Sequence, residues 1–294
     1  YGYSALGAII AEVTGKPFES YMQEDWLAPL GMAHATYLAE EVDPALRMTI
    51  YNGAQDGEAA PTEPNCDGRD ASACNLQASC DDMVKWAQLM LNKGELDGTR
   101  FLQPESIDAL WASISSTPMV EAIGPWYGAP FAEYGLGWYV GAMEGHRLAG
   151  HTGAGNGFNA HLQFAPDDGL AVIAMDNWLD LESATKYPAT TAAIDVTYLL
   201  LGVEPQEASA DAEASTVQLD SETATAIDTM VEETMARINL PGFALAVVKD
   251  GEVAYAKGFG VTSLDGGEPV TAQTVFQWNE TAMSLTAMAV MQLV

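Results

Sequence analysis

Basic residues are scarce in this chain of 294: Lys and Arg together number 11 against 41 Asp and Glu, a formal charge of −30. A surface that negative repels phosphate backbones and anionic lipid headgroups, which excludes a nucleic-acid binder. No apolar run reaches the roughly 18 residues that a spanning helix needs, so no transmembrane segment is expected. Three cysteines are too few for a disulfide framework, and their spacing matches no zinc site. His146, His151 and His161 stand at intervals that fit no helical metal-binding pair. There is also no initiating Met. The chain opens at Tyr1-Gly2-Tyr3, which reads as an interior start, so the lack of a leader says nothing about export.

What is present is apolar substance. Hydrophobic residues make up 48% of the chain, enough for a sizeable core in one large domain or two modest ones. Cys66 and Cys74 flank a polar loop rich in Asp, Gly and Ser. A bridge there suits an oxidising compartment; unpaired thiols are the alternative, and the sequence leaves both open. With a pI near 4.1, a periplasmic or secreted setting is the expectation.

Hydrophobic periodicity predicts a helix over 4–14, with Ala5, Ile9 and Ile10 on one face and Gly15 as its stop. A second helix over 17–27 ends at the turn Pro29-Leu30-Gly31-Met32. Residues 41–78 read as loop with short elements. Ser79 caps a helix over 81–93, where Met83, Trp86, Ala87 and Met90 share a face. Pro104 opens another, to about 113. The middle reads as strands at 136–140, 157–164 and 170–175, the last two joined by the turn-forming run Pro166–Gly169. A helix over 189–201 precedes an acidic, Ala- and Ser-rich linker at 203–221, which includes Glu204, Glu207, Asp211 and Glu213. A helix over 222–238 follows, then a hairpin of 243–248 and 253–257 around Asp250-Gly251 and an apolar helix near 281–294. The fold class expected is α/β of the α+β type: an antiparallel sheet flanked by helices, plus a mostly helical subdomain.

Several stretches resemble the serine β-lactamase and penicillin-binding-protein-like hydrolases, of the class C and related esterase branch. Leu240–Gly251, Thr274-Val275-Phe276 and Thr286–Leu293 are similar to the start of that family. Gly2-Tyr3, Leu6-Gly7, Val13-Thr14-Gly15, Pro29–Met32, Asp82-Met83 and Gly150-His151-Thr152-Gly153 are similar to its later part. The resemblance implies two ends in swapped order: 1–202 as the C-terminal portion, 203–221 as linker and 222–294 as the N-terminal portion. Either the two close as one permuted domain, or the chain is cut from a tandem protein. A linker of that length spans roughly 25 Å, enough to join them. Strands 157–164 and 170–175 would then pair with 243–248 and 253–257.

The family's acyl transfer needs a serine at a helix N-terminus, a lysine to take its proton, main-chain donors for the oxyanion, a Tyr-Ser-Asn motif and a Lys/His-Thr-Gly strand. The register from Phe276 and that from Thr286-Ala287 both put the serine position at 280 and the lysine position at 283. These are Glu280 and Met283. A carboxylate suits a helix N-terminus, where the dipole contributes about 0.3–1 kcal/mol, but it is a poor acyl acceptor, and a thioether moves no proton. The tyrosine of the Tyr-Ser-Asn motif would fall just before Tyr1. His151 is the best surviving functional signal, with the Thr152 hydroxyl and the Gly153 backbone as substrate contacts; flanking glycines favour close approach. The alternative is an edge-strand histidine before a Gly-rich turn. Ser284 reads as a helix-surface serine, Asp81-Asp82 as first-turn charge, and Trp126, Trp138 and Trp178 as core.

The expectation is therefore a serine-hydrolase family member for ester, amide or β-lactam bonds whose own motif is replaced. Its alternative is a catalytically inactive binding module with the same cleft. Neither needs a cofactor or metal. The partner expected is a small-molecule or peptide-like acyl compound; the oligomeric state is not fixed by the sequence.

Overall fold

The computed structural model of the protein describes residues 2–53, 59–64, 66, 70–115, 131–179, 187–203 and 219–294. Its helices, in chain order, are α1 (Gly2–Thr14), α2 (Phe18–Tyr21), α3 (Ala71–Cys74), α4 (Cys80–Leu91), α5 (Pro104–Leu110), α6 (Pro188–Leu201), α7 (Ser221–Ile238) and α8 (Ala282–Gln292). One seven-stranded sheet contains β1 (Phe131–Tyr134), β2 (Tyr139–Met143), β3 (His146–Gly155), β4 (Phe158–Ala165), β5 (Leu170–Asp176), β6 (Gly242–Lys249) and β7 (Glu252–Gly260). The strand order is β7-β6-β5-β4-β3-β2-β1, and every neighbouring pair is antiparallel. This is the α+β, antiparallel-sheet class that the sequence pattern predicts.

Turn chemistry sets the hairpins. Asp250 and Gly251, at φ 51 and 82, join β6 to β7 in the left-handed geometry that an Asp-Gly pair adopts readily. Glu144 and Gly145, at φ 47 and 95, do the same between β2 and β3. The predicted strand at 136–140 begins only at Tyr139, because Gly137, at φ 82, turns the chain back from β1. β1 and the ten-residue β3 carry no clear strand signature in the sequence. Glycine and histidine dilute the β-formers of β3, and its regularity comes from pairing on both sides. His151 consequently lies in an interior strand, not at an edge.

Every residue of β4 and β5 is buried, so both faces of the sheet are covered. On one face Val172, Ala174, Leu245 and Val247 cluster with Ala193 and Val196 of α6 and Ile227 and Val231 of α7. On the other Ile173, Met175, Ala244 and Ala246 cluster with Trp86 and Leu89 of α4 and Leu285 and Met288 of α8. Helices α1, α3 and α5 pack on α8, which makes the helical subdomain. α1 buries Gly7 and Ile10, whereas Ala5 and Ile9 face outward, Ile9 being 54% exposed. The expected Ala5–Ile9–Ile10 face is thus rotated. Gly7 is drawn in because its bare backbone lies against the side chain of Ser72, where a Cβ would clash. Ser79 caps α4 in a capping box with Asp82, each side chain meeting the other's backbone N–H. Cys66 and Cys74 are bridged, and Cys80 is a buried free thiol.

Residues 204–218 of the expected linker, and Trp126, lie outside the described residues. On either side of that stretch the chain shares one sheet. β5 runs beside β6 from Leu170↔Lys249 to Asp176↔Phe243. A protease cut within 203–221 should therefore leave the two parts bound to each other on a sizing column; separation into two free fragments would contradict the shared sheet.

Candidate functional site

The site forms where β3 meets the entry to α8. The short strand Val275–Gln277 pairs with Gln77–Ser79, and Trp278 donates its ring N–H to the Ala78 carbonyl at 3.1 Å. Anchored this way, the chain makes a 3₁₀ turn at Asn279–Thr281 and runs directly into α8. Asn279 sits at φ 42, a left-handed conformation that asparagine tolerates better than most residues.

Gly153 on β3 lies against this turn. A Cβ there would come within 1.9 Å of the Trp278 carbonyl oxygen. The contact brings Ala154 alongside the turn, which grips it from two sides: the Asn279 side-chain amide donates to the Ala154 carbonyl, and the Ala154 N–H donates to Glu280 Oε2 at 3.2 Å. Burial raises the Glu280 pKa, and backbone hydrogen bonding opposes the rise.

His151 precedes this contact and is 2% exposed. Its Nδ1 lies 2.7 Å from the Thr152 carbonyl, so Nδ1 bears the proton and Nε2 is left as the acceptor. Tyr134 of β1 donates to Nε2 at 3.0 Å. The Tyr3 hydroxyl interacts with Tyr134, adding to the rise that burial gives the Tyr134 pKa, and the Tyr139 ring stacks on the imidazole with centroids 4.9 Å apart. The result is a directed chain from Tyr134 through His151 to the Thr152 carbonyl. Burial lowers the His151 pKa to about 4 against the pull of its backbone bond. Burial first, and the Glu280 charge second, raise Tyr139 to about 12, and burial raises Tyr134 further.

Thr152 points to the opposite face of β3. Its hydroxyl donates to the Ala160 carbonyl at 3.1 Å and lies 3.0 Å from the Thr190 hydroxyl of α6. Asn159 of β4 donates to the Gly153 carbonyl at 3.0 Å and accepts the Thr190 N–H at 2.9 Å. Asp176 beneath it accepts the backbone N–H groups of Asn159, Trp178 and Ala189. This buried network fixes the β3 main chain, so what β3 presents to the turn is backbone, with the Thr152 side chain committed elsewhere.

Glu280, His151 and Gly153 are thus brought together. Met283 is the second residue of α8, and its carbonyl and the Tyr3 hydroxyl both lie close to Gly137. Ser284 is fully buried rather than on the helix surface: its hydroxyl donates to the Gly137 carbonyl at 2.5 Å. His146 is tied to Asp168 at 3.0 Å, and His161 bonds Gln163. Among the described residues no group of three or more His, Cys, Asp or Glu is placed to hold a metal. Sequence reasoning missed Tyr134, Tyr139, Ala154 and Asn279. The two tyrosines were signalled only by their position either side of the Gly137 turn, which puts both at the same end of a hairpin.

An antiparallel sheet between helical layers, with a helix-entry turn pressed on an inner strand, is the β-lactamase/transpeptidase-like fold. The chain belongs to the Beta-lactamase family, whose family model matches residues 1–195 and 227–294. It is 28% identical over 217 residues to the unguisins hydrolase ungD' of Aspergillus campestris (strain IBT 28561), covering 68% of this chain and 36% of that protein. It is 25% identical over 182 residues to penicillin-binding protein 4 of Amycolatopsis lactamdurans, covering 60% of this chain and 45% of that one. The chain thus spans less than half the length of these two curated relatives. The octameric penicillin-binding protein homologue from Pyrococcus abyssi superposes with a TM-score of 0.56 at 19% identity, covering 90% of this chain and 55% of that chain, a likeness of fold.

The buried neutral imidazole has a pH signature. Because the His151 pKa falls from 6.5 to about 4 on folding, the unfolded chain takes up a proton that the native one refuses. His151 therefore contributes fully above pH 6.5, and its contribution is lost as pH falls toward 4. Tyr134 on β1, Tyr139 on β2 and His161 on β4 are the titratable groups around it. In urea titrations the stability gap between wild type and His151→Gln should shrink by up to about 1.4 kcal/mol per pH unit across that window. A gap that stays constant would mean that the imidazole is protonated in the native state.

Proposed function

We propose that the site where β3 meets the Asn279–Thr281 turn binds small-molecule or peptide-like acyl compounds (esters, amides or β-lactams) without forming an acyl-enzyme. Membership of the Beta-lactamase family supports the hydrolase lineage. The relatives described as a hydrolase and a penicillin-binding protein support a ligand with an amide or related carbonyl. The Cys66–Cys74 bridge supports a periplasmic or secreted setting.

The observation that carries the reading is what stands at the helix entry. Glu280 meets the main chain of β3, and the family resemblance assigns the serine position to it and the lysine position to Met283. A carboxylate that attacked a carbonyl would give a short-lived mixed anhydride, and a thioether cannot relay the proton. The neighbouring hydroxyl of Ser284 is turned into the protein toward Gly137. What remains suits recognition: main-chain donors and acceptors on β3 and the polar row of Tyr3, Tyr134 and His151.

A second reading, hydrolysis by the chain within a longer protein, has the same family membership in its favour, and the Tyr134–His151 pair is a proton-handling element it could use. One experiment separates the two. Incubation with nitrocefin and p-nitrophenyl acetate should give no turnover above buffer. Fluorophosphonate and penicillin probes should leave the intact mass unchanged. A covalent adduct on any serine favours the hydrolase and removes the binding-only reading.

A further inference from the structure

Two Asn-Gly pairs stand in the chain, Asn52-Gly53 and Asn156-Gly157, and the fold treats them differently. Asn156-Gly157 is the two-residue turn between β3 and β4, closed by the pair Gly155↔Phe158. Asn156 is exposed, and its side-chain amide has no partner among the described residues. Gly157 is buried, at φ 76. Its carbonyl accepts the Tyr51 N–H at 3.3 Å, and a Cβ on it would come within 2.7 Å of the Tyr51 nitrogen and of the Thr62 side chain. The packing therefore demands glycine, and glycine leaves the nitrogen of the 156–157 peptide with no side chain to shield it. That N–H has no acceptor among the described residues. A free side-chain amide, an unshielded main-chain nitrogen and solvent meet at one peptide. Asn52-Gly53 lacks this combination. Asn52 is exposed too, but it is paired to Ala60 and to Leu179, and the Gly53 N–H donates to the Leu179 carbonyl at 2.9 Å.

We propose that Asn156 is a self-modification site, converted through a cyclic imide to aspartate and isoaspartate, and that the change loosens the end of β3 that meets the Asn279–Thr281 turn. The Gly157 nitrogen attacks the Asn156 side-chain carbonyl carbon. The Gly157 N–Cγ bond forms, the Cγ–Nδ2 bond breaks, and the side-chain nitrogen leaves as ammonia, carrying the proton that Gly157 gives up. Water then adds across either carbon–nitrogen bond of the imide. Opening at Cγ gives aspartate; opening at the main-chain carbonyl gives isoaspartate, in which the backbone runs through the side chain and is one methylene longer. Both products put a new carboxylate on the turn. The longer one cannot keep the close pairing of Gly155 with Phe158 and also hold Gly157 against Tyr51 and Thr62. Ala154, which meets Asn279 and Glu280, is the next residue back along the strand. The inference stands whether or not the site binds acyl compounds.

The test ages the whole folded chain, labelled with nitrogen-15, in neutral and in mildly alkaline buffer. Peptides containing 156 and 52 are followed by mass spectrometry, and isoaspartate is counted with an isoaspartyl methyltransferase. Asn156 should gain the mass difference between an acid and an amide, as a mixture of aspartate and isoaspartate, and faster at the higher pH because the nitrogen attacks without its proton. Asn52 should lag by about fivefold or more, the factor that breaking one hydrogen bond supplies. As isoaspartate accumulates, the amide signals of Ala154 and Gly155 should split into a second set in proportion to it. Asn156→Gln, whose extra methylene takes the carbonyl out of five-membered-ring reach, should keep its mass and a single set of signals. The proposal is overturned if the native chain keeps Asn156 as the amide, if Asn52 changes as fast, or if aspartate forms without isoaspartate. It is also overturned if the Ala154 and Gly155 signals stay single in the isoaspartate form, or if Asn156→Gln develops the second set on ageing.

Discussion

The close approach of Gly153 to the Trp278 carbonyl is the contact on which the site depends. With a Cβ placed 1.9 Å from that oxygen, any other residue would push β3 and the entry of α8 apart. That separation would break the two bonds that clamp Ala154 to Asn279 and Glu280. The approach is supported from beneath. Asn159, Thr190 and the buried Asp176 hold the carbonyl side of the same strand. From above, Trp278 is hydrogen-bonded to Ala78 and its strand is paired to residues 77–79. Two rigid bodies, the sheet and the helical layer, meet here through main chain rather than through adaptable side chains. Such a contact tolerates little displacement.

That arrangement holds the shape of the site through main chain. The β3 donor facing Glu280 is a backbone N–H, that of Ala154, which survives substitution of the side chains around it. The acid, base and nucleophile of an acyl-transfer site would all be side chains; the proposed register puts a carboxylate at 280 and a thioether at 283. The Tyr3–Tyr134–His151 row persists, but its imidazole is held neutral by burial and spends its Nδ1 proton on a backbone carbonyl. It is a rigid polar wall with one acceptor facing a phenol. Glu280 adds a charge near Tyr139 and Tyr134 that discourages their ionisation.

Much of the scaffold was legible because local chemistry agreed with the fold. Asp250-Gly251 announces its hairpin, Ser79 with Asp82 announces the start of α4, and the apolar runs of β4 and β5 read as strands buried on both faces. The site was legible only in part. The register from Phe276 and from Thr286-Ala287 singles out Glu280, and the glycines around His151 signal close approach. What the sequence hid is non-local. Tyr134 and Tyr139 reach His151 only through strand pairing, and Thr152 turns away because a strand alternates its side chains. The Ser284 hydroxyl is hidden by the Gly137 turn, which packs against that face of α8. The outward Ile9 shows the same limit: α1 chooses its buried face by where a glycine allows Ser72 to come near.

The most direct measurement follows the Glu280 carboxyl carbon and the Ala154 amide together by NMR as pH is varied. The account predicts one shared midpoint, above the ordinary value of 4.5 because burial outweighs the backbone hydrogen bonding. The Ala154 amide proton should move upfield as the carboxylate is neutralised, with Tyr134 and Tyr139, the nearby groups that feel its charge, staying un-ionised throughout. An Ala154 amide that ignores the Glu280 titration would show that the carboxylate is not seated on β3, and the central contact would have to be given up.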